Sequence, residues 1–302
     1  MPKYKNVLVI GSRGLLGTAV TRVLSDRRYR LILPENEDMD VTDQEQVLEF
    51  LRHHWPDLIV NCSGVTDIEE NEDEKDIWPE LVNRYGPLVL AGFCTDLGIP
   101  LVHFSSSFVF DGEKSGPYTE DDPPSPVNRY GLFKAEADEA VLSECPRALV
   151  VRTSCLFGPG RTNYASLVAR KAQVGEPIEA PPDVVVSATY TFDLAEVTAD
   201  LIESGATGLY HVVNAGSVSY YDLAARVLEL VGLEGELVPV PAEIFRKAKT
   251  PLNLVLSTAK IERDFGVAMR HWDEALQEYV RDYLHSDILL SDDITEAEAA
   301  GE

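Results

Sequence analysis

The sequence is poor in basic residues. Its 302 residues contain 26 Lys and Arg against 51 Asp and Glu, so the formal net charge is −25 at pH 7. A surface this acidic argues against nucleic acid as a partner, because phosphate binding needs a basic surface. An anionic ligand must instead meet local cations, for which the candidates are Arg13, Arg129, Lys134, Arg152, Arg161 and the segment 246–249.

Cysteines are also few and scattered, without a Cys-x-x-Cys motif or a group of Cys and His residues: they are Cys62, Cys94, Cys145 and Cys155. The sequence therefore indicates neither a disulfide framework nor a metal site. No hydrophobic run approaches the length of a membrane span, and no signal peptide precedes the first predicted strand. We expect a cytoplasmic protein that makes no contact with a membrane.

Short apolar runs alternate with helical patterns through the chain. Such runs are typical of buried parallel strands, and they predict strands over 5–10, 30–33, 57–61, 100–104, 149–152 and 209–213. Periodicity predicts helices over 78–97, 162–175 and 191–204, and later over 220–231, 242–249, 257–265 and 272–284.

Thr42-Asp-Gln-Glu45 predicts a capping box that opens a helix through Leu51. The acidic stretch 68–76 predicts a solvated loop, and 286–302 an acidic tail that is mobile or loosely docked.

The segment Gly11-Ser-Arg-Gly14-Leu-Leu-Gly17 follows the first predicted strand and precedes a helix. This order predicts a dinucleotide-binding turn, in which the helix N-terminus supplies amide donors for the phosphates. Gly11 permits the tight turn, Gly14 lets the backbone approach a pyrophosphate, and Gly17 lets helix and strand pack closely. The spacing is Gly-x-x-Gly-x-x-Gly, not the commoner Gly-x-Gly-x-x-Gly.

Two charged residues leave the dinucleotide open between NADP and NAD. Glu35 lies near the distance at which an acid holds the ribose 2′-hydroxyl of NAD, whereas Arg13 in the glycine turn could hold the 2′-phosphate of NADP. Each is about equally well explained as a solvated surface residue. Arg13 motivates a modest preference for NADPH.

Tyr130 and Lys134 are four residues apart, which puts the phenol and the ammonium on one face of a helix. A lysine charge about 5 Å away, at an effective dielectric of roughly 20, favours the phenolate by about 3 kcal/mol, or ~2 pKa units. Burial pushes the pKa of the phenol upward. We expect the net effect to bring the pKa of Tyr130 into the range where general acid–base catalysis is efficient.

Ser105-Ser-Ser107 ends the fourth predicted strand, and the carboxyl ends of strands are where open α/β sheets bind ligands.

The order of glycine turn, serine-rich strand end and Tyr-x-x-x-Lys resembles the extended short-chain dehydrogenases/reductases. Finer motifs resemble the dTDP-4-dehydrorhamnose reductase group within them: Asn61-Cys-Ser-Gly-Val-Thr66, Val82-Asn83-Arg-Tyr-Gly86, Ser105-Ser-Ser-Phe-Val-Phe-Asp-Gly112, Pro126-x-x-x-Tyr130-Gly-x-x-Lys134, Val151-Arg-Thr-Ser154 and Asp193-Leu-Ala195. The resemblance covers residues 5 to 285. It implies an α/β fold, a doubly wound parallel Rossmann sheet (1–154, with 185–215 returning to it) with a smaller, mostly helical substrate lobe (155–184 and 216–285).

The resemblance also implies roles for the matching residues. Ser106 would hydrogen-bond the substrate carbonyl, Tyr130 would protonate its oxygen, and Lys134 would hold the nicotinamide ribose and lower the tyrosine pKa. Ser107 and Cys155 would also contact the substrate. The dinucleotide would lie against Tyr130, Lys134 and the following residues: Gly11, Ser12, Arg13, Gly14, Leu15, Leu16, Gly17, Asp40, Val41, Cys62, Ser63, Gly64, Val65, Thr66, Thr153 and Ser154.

The chain departs from the family mainly in its substrate half. Ser107-Phe108 stands where the family usually has Asp-Tyr, and Cys155 stands where it has a tryptophan that helps to shape the sugar pocket. Val186-Ser-Ala-Thr189 replaces Gly-x-Pro-Thr, and Thr250-Pro251 replaces an Arg-Pro motif. Related sugar dehydratases add a carboxylate beside the catalytic serine; Ser107 and Phe108 supply none, which disfavours dehydration.

The resulting prediction is an NAD(P)H-dependent reductase of a nucleotide-linked 4-keto sugar, as in dTDP-rhamnose biosynthesis. The family often forms homodimers. One alternative is a non-catalytic dinucleotide-binding subunit, like the regulatory subunit of methionine adenosyltransferase. Another is a nucleotide-sugar C4 epimerase, which would hold its cofactor tightly. The joint presence of Ser106, Tyr130 and Lys134 favours the reductase, while the sugar and its nucleotide stay open.

Overall fold

The structure is a computed structural model that describes residues 4–35 and 37–285; the predicted acidic tail at 286–302 lies outside the described residues. Its strands are β1 (Asn6–Ile10), β2 (Arg30–Ile32), β3 (Leu58–Asn61), β4 (Leu101–Ser106), β5 (Ala148–Thr153), β6 (Leu156–Phe157), β7 (Ile178–Ala180), β8 (Val185–Val186), β9 (Thr189–Tyr190), β10 (Gly208–His211), β11 (Val218–Ser219), β12 (Leu237–Pro239) and β13 (Asn253–Leu254).

The helices are α1 (Leu15–Asp26), α2 (Gln44–His54), α3 (Ile68–Glu72), α4 (Trp78–Glu80), α5 (Gly86–Leu97), α6 (Arg129–Glu144), α7 (Tyr164–Gln173), α8 (Thr191–Ser204), α9 (Tyr220–Val231), α10 (Ala242–Phe245), α11 (Ala259–Phe265) and α12 (Trp272–Tyr279). A 3-10 turn covers Ser107–Val109, and π-helical turns cover Leu81–Tyr85 and Val280–Leu284.

Six parallel strands form the central sheet in the order β10-β5-β4-β3-β1-β2. Both faces are covered, because α1 and α8 pack on one side while α2, α5 and α6 pack on the other. This burial explains why the strands read as continuous apolar runs. The predicted doubly wound Rossmann sheet is confirmed. The order reverses between β1 and β3, and such a switch point is where open α/β sheets bind ligands.

A second layer of short elements forms a lobe around its own hydrophobic core, which includes residues of α7, α9 and α12. Small sheets pair β11-β8-β13, β12-β7 and β6-β9. The chain returns to the central sheet with α8 and β10, whereas β8 at 185–186 pairs within the lobe. Helix α11 also packs on the central sheet, where Lys260 Nζ donates to the Leu209 carbonyl at 2.7 Å and Ile261 is fully buried.

Several local predictions differ from the structure. The acidic stretch 68–76 is not simply a solvated loop, because Asp67 accepts hydrogen bonds from the amides of Glu69 and Glu70 and so caps α3. Helix α2 is capped by Asp43 rather than by Thr42, so the predicted capping box is wrong. The Thr42 hydroxyl instead donates to Asp40 at 2.8 Å. The carboxylate of Asp43 is therefore the acceptor for the first helix amides.

Two predicted helices also have different extents. The helix predicted over 78–97 is interrupted by the π-helical turn at Leu81–Tyr85. The helix predicted over 242–249 ends at Phe245, because Arg246 has an extended backbone. Across the described parts of the chain, no helix combines the length and the apolarity that a membrane crossing requires. The same residues contain no group of three or more His, Cys, Asp or Glu side chains arranged to hold a metal ion.

Candidate active site

The glycine turn brings the start of α1 close to the end of β1. A Cβ placed on Gly17 would lie 2.0 Å from the Gly11 carbonyl oxygen, so any larger residue would separate helix from turn. Gly14 is the N-cap residue of α1, and no side chain caps this end of the helix. The first backbone amide groups of α1 therefore remain available as hydrogen-bond donors, and the helix dipole favours an anion at this N-terminus.

Beside this turn, at the switch point of the sheet, lies a cavity of about 490 Å³. Many of the predicted cofactor residues line it: Gly11, Ser12, Arg13, Gly14, Asp40, Val41, Cys62, Ser63, Gly64 and Val65. Of the others, Leu15, Leu16 and Gly17 form the first turn of α1, and Thr66 is exposed in the loop after β3.

Arg161 is a cavity residue that the sequence marked only as a general cation. It comes from the loop after β6, and its Nε donates to the Arg13 carbonyl at 3.0 Å. Sequence reasoning also missed Trp78 and Val82, which line the cavity from α4 and the π-helical turn. No short motif marks Arg161 or Trp78, because each reaches the cavity from a segment distant in sequence. Val82 begins the motif Val82-Asn83-Arg-Tyr-Gly86, for which the resemblance implied no cofactor contact.

Asn83 holds the loop after β3 in place. Its side-chain amide donates to the Val65 carbonyl at 2.8 Å, and its oxygen accepts from the Val65 amide at 3.1 Å. A further bond joins Asn83 to Asn71 of α3 at 2.9 Å. Asn83 is fully buried and sits in the π-helical turn, a local irregularity often found at functional sites. It thus shapes the cavity wall indirectly.

Arg13 and Glu35, the two residues that left the cofactor open, form an ion pair with each other. Both line the cavity, and their side chains are 68% and 49% exposed. A pair this exposed contributes about 0–1 kcal/mol and can be rearranged by a ligand. Both charged side chains therefore lie at the cavity, and which of them meets a cofactor stays a prediction.

Tyr130 lies in the first turn of α6, whose N-cap is Asn128. Its ring packs edge-on against Phe108, with the ring centres 5.6 Å apart, and is 7% exposed. Burial raises the pKa of Tyr130, a hydrogen bond with Ser106 opposes this rise, and the charge of Asp138 adds to it. The pKa of this phenol is therefore raised, and the predicted lowering of that pKa by Lys134 is wrong.

The ammonium of Lys134 is held within the fold. Its Nζ donates to the Phe104 carbonyl at 2.9 Å, and the side chain is almost fully buried. Burial lowers the pKa of Lys134 to about 8, against an opposing influence of Asp138. The ammonium is nevertheless next to the cavity, because a Cβ on Gly64 would lie 3.8 Å from Nζ.

The ends of β4 and β5 place four hydroxyl groups together. Ser106 and Thr153 are register partners, and the buried Thr153 hydroxyl has no hydrogen-bond partner among the described residues. Ser107 donates to Ser154 at 3.0 Å, and Ser154 donates to the Leu254 carbonyl at 3.0 Å. The buried Ser107 hydroxyl is thus used within the fold, and its predicted contact with the substrate stays a prediction. Ser154 likewise ties the sheet to the lobe.

The family described as RmlD substrate binding domain matches residues 5–285. The chain belongs to this family.

Two relatives and one solved structure illustrate the similarity. The spore coat polysaccharide biosynthesis protein SpsK of Bacillus subtilis is 35% identical over 277 residues, which are 91% of this chain and 97% of the relative. The dTDP-4-keto-6-deoxy-D-glucose reductase of Streptomyces niveus is 33% identical over 272 residues, 89% and 94% of the two chains. The dTDP-4-dehydrorhamnose reductase of Bacillus anthracis, solved in complex with NADP, has a TM-score of 0.88 at 26% identity and covers 92% and 99%.

Cys155, where the resemblance led us to expect a tryptophan, packs against the hydrophobic core of the lobe. It has a left-handed backbone with φ of +38° and leads into β6. Burial raises the pKa of its thiol to about 11, and the side chains of Tyr220 and Arg246 oppose that rise. Cys155 therefore faces the lobe, beside an aromatic residue and a cation.

Proposed function

We propose that the protein is an NAD(P)H-dependent oxidoreductase that reduces the C4 ketone of a nucleotide-linked sugar, with Tyr130 as the proton donor. The observation that carries this proposal is the position of Lys134, one turn from Tyr130 on α6: its Nζ donates to the Phe104 carbonyl of β4 at 2.9 Å and lies against Gly64 of the cavity. Relatives named as reductases of dTDP-linked keto sugars support the substrate class. We take dTDP-4-dehydrorhamnose as the first compound to test.

The residues around the cavity fit a dinucleotide. The uncapped start of α1 offers amide donors for a pyrophosphate, and Arg13 and Arg161 add positive charge beside it. NADPH is the expected cofactor, with NADH as the alternative, and one of the similar solved structures contains NADP. When bound, the reduced nicotinamide supplies the hydride.

The chain's own residues supply the proton and stabilise charge. Because burial raises the pKa of Tyr130, its phenol keeps its proton at neutral pH, which is the form a reduction needs. Ser106 donates to the same carbonyl oxygen, where negative charge grows during the reaction. Lys134 carries a positive charge below about pH 8, and this charge, which lies next to the cavity, favours the negative charge that grows on the substrate oxygen.

Tyr130→Phe tests this assignment. The ring still packs against Phe108, so we expect the dissociation constant for NADPH to stay unchanged, while kcat for ketone reduction falls by about 10²-fold or more. Tyr210→Phe is the matched control, since it removes a phenol on the edge strand β10 that bonds to Asp264 of α11. Wild-type protein that binds NADPH but is inert toward a panel of nucleotide-linked 4-keto sugars would favour the non-catalytic binding subunit.

A further inference from the structure

Arg246 is surrounded by aromatic rings. Its guanidinium carbon lies 5.9 Å from the ring centre of Phe108, 5.6 Å from that of Tyr220 and 5.1 Å from that of Phe245. Tyr164 packs edge-on against Tyr220 at 4.7 Å and completes the group. We call Phe108, Tyr164, Tyr220 and Phe245 the aromatic cluster. Cation–π attraction offsets only part of the cost of removing such a cation from water.

The guanidinium lacks a counter-charge in the described part of the chain. Its Nη1 atom is buried without a hydrogen-bond partner there. Arg246 also takes part in none of the ion pairs formed by these residues. In a protein with a net charge of −25, carboxylates are abundant, yet none of those in the described residues pairs with this partly buried cation. A partly buried cation is favourable when a ligand supplies the missing anion.

Other candidate cations are engaged elsewhere. Arg13 pairs with Glu35, and Arg152 pairs with the buried Asp138. Arg161 lies on the cofactor side, against the glycine turn. Arg246, in contrast, packs against aromatic rings of the lobe and forms no ion pair with the described residues.

The segment that carries Arg246 is fixed against the helix of Tyr130. Glu69 accepts hydrogen bonds from the amides of Lys247 at 2.7 Å and Ala248 at 3.0 Å. The side chain of Asn128, the N-cap of α6, donates to the Lys249 carbonyl at 2.9 Å. The start of α6 and the short helix α3 therefore hold Arg246 at a set distance from Tyr130.

Phe108 lies between the two groups, because its ring contacts both Arg246 and Tyr130. In a nucleotide-linked 4-keto sugar, one pyranose ring separates the ketone at C4 from the diphosphate at C1. We propose that Arg246 binds the diphosphate of the substrate and so places the sugar with its ketone at Tyr130. This rests on the proposed function. A guanidinium suits the task, since its forked donors bind phosphate oxygens in pairs.

Calorimetric titration of the full chain, saturated with NADPH, with dTDP tests the inference. For Arg246→Gln we expect the dissociation constant for dTDP to rise about 10- to 100-fold, the loss typical of a charge-assisted hydrogen bond. Arg246→Lys keeps the charge but loses the fork, so we expect an intermediate value. Arg170→Gln is the matched control, because it neutralises an exposed arginine on α7 of the same lobe.

In steady-state assays of Arg246→Gln with a nucleotide-linked 4-keto sugar, KM should rise with the dissociation constant for dTDP, while NADPH binding and the melting temperature stay near wild type.

If the Arg246→Gln variant binds dTDP as tightly as wild type does, the proposed role of Arg246 is overturned. If wild type reduces the ketone in that case, the proposed function survives. Wild type that fails to bind dTDP also overturns the inference. Wild type that binds dTDP but reduces no keto sugar refutes the proposed function, and only diphosphate binding by Arg246 then remains of the inference.

Discussion

Arg152 and Asp138 form a buried ion pair one helical turn beyond Lys134. Arg152 Nε lies 2.8 Å from Asp138 Oδ2, and the side chains are only 3% and 2% exposed. Asp138 belongs to α6 and Arg152 to β5, while the ring of Phe110 lies 5.2 Å from the guanidinium. The pair therefore joins the helix that carries Tyr130 and Lys134 to the central sheet.

Removing one member of this pair should destabilise the protein strongly. We expect Arg152→Met to lower the free energy of unfolding by about 3–5 kcal/mol, because it leaves the Asp138 carboxylate buried without its hydrogen-bonded ion-pair partner. Urea denaturation measures this. Glu229→Gln breaks an exposed pair with Arg226 and should cost about 0.5 kcal/mol or less. Equal costs for both variants would contradict the account.

The rate of ketone reduction should fall as pH rises through about 8. Lys134 has a lowered pKa of about 8 and loses its charge there, whereas the raised pKa of Tyr130 keeps its proton in place over the same range. A profile of kcat against pH measures the midpoint. Asp138 raises the pKa of Lys134, so Asp138→Asn should move the midpoint to lower pH. Glu139→Gln, an exposed change on the same helix, should leave it in place; a midpoint unaffected by Asp138→Asn would refute the coupling.

The Arg13–Glu35 pair should set the preference between NADPH and NADH. Glu35→Gln frees Arg13 for a 2′-phosphate, so we expect the ratio of kcat/KM for NADPH over NADH to rise about threefold, in line with the small energy of an exposed pair. Arg13→Ala should lower that ratio. Arg30→Ala removes an exposed arginine on β2 and serves as the control. An unchanged ratio in Arg13→Ala would show that Arg13 plays no part in cofactor choice.

Gly131 should tolerate no side chain. A Cβ at this position would lie 2.1 Å from the Phe108 carbonyl oxygen, so α6 would have to move away from the segment that carries Ser106. We expect Gly131→Ala to reduce kcat by about 10²-fold, since small displacements of reacting groups are that costly. Gly92→Ala, in α5 with open space around it, should instead stabilise the protein by about 0.5–1 kcal/mol. Wild-type kcat in Gly131→Ala would argue against this close packing as a requirement.

Local chemistry in the sequence was enough to predict the frame of the molecule. The apolar run before Gly11 predicts a buried strand because both faces of a parallel sheet are covered, and the glycine spacing predicts the turn that follows it. The spacing of Tyr130 and Lys134 predicts a shared helix face because side chains four residues apart lie on one side of a helix. These features depend on neighbours within one or two turns of the chain.

Tertiary structure alone decided the properties that depend on distant segments and on burial. The sign of the pKa change at Tyr130 follows from desolvation, which no local spacing reveals. Arg161 reaches the glycine turn 148 residues away, and the charge of Arg246 is left unpaired in the described chain by the way the lobe packs. A periodic pattern reports which face of an element is buried, but it does not report which residues from other elements meet there.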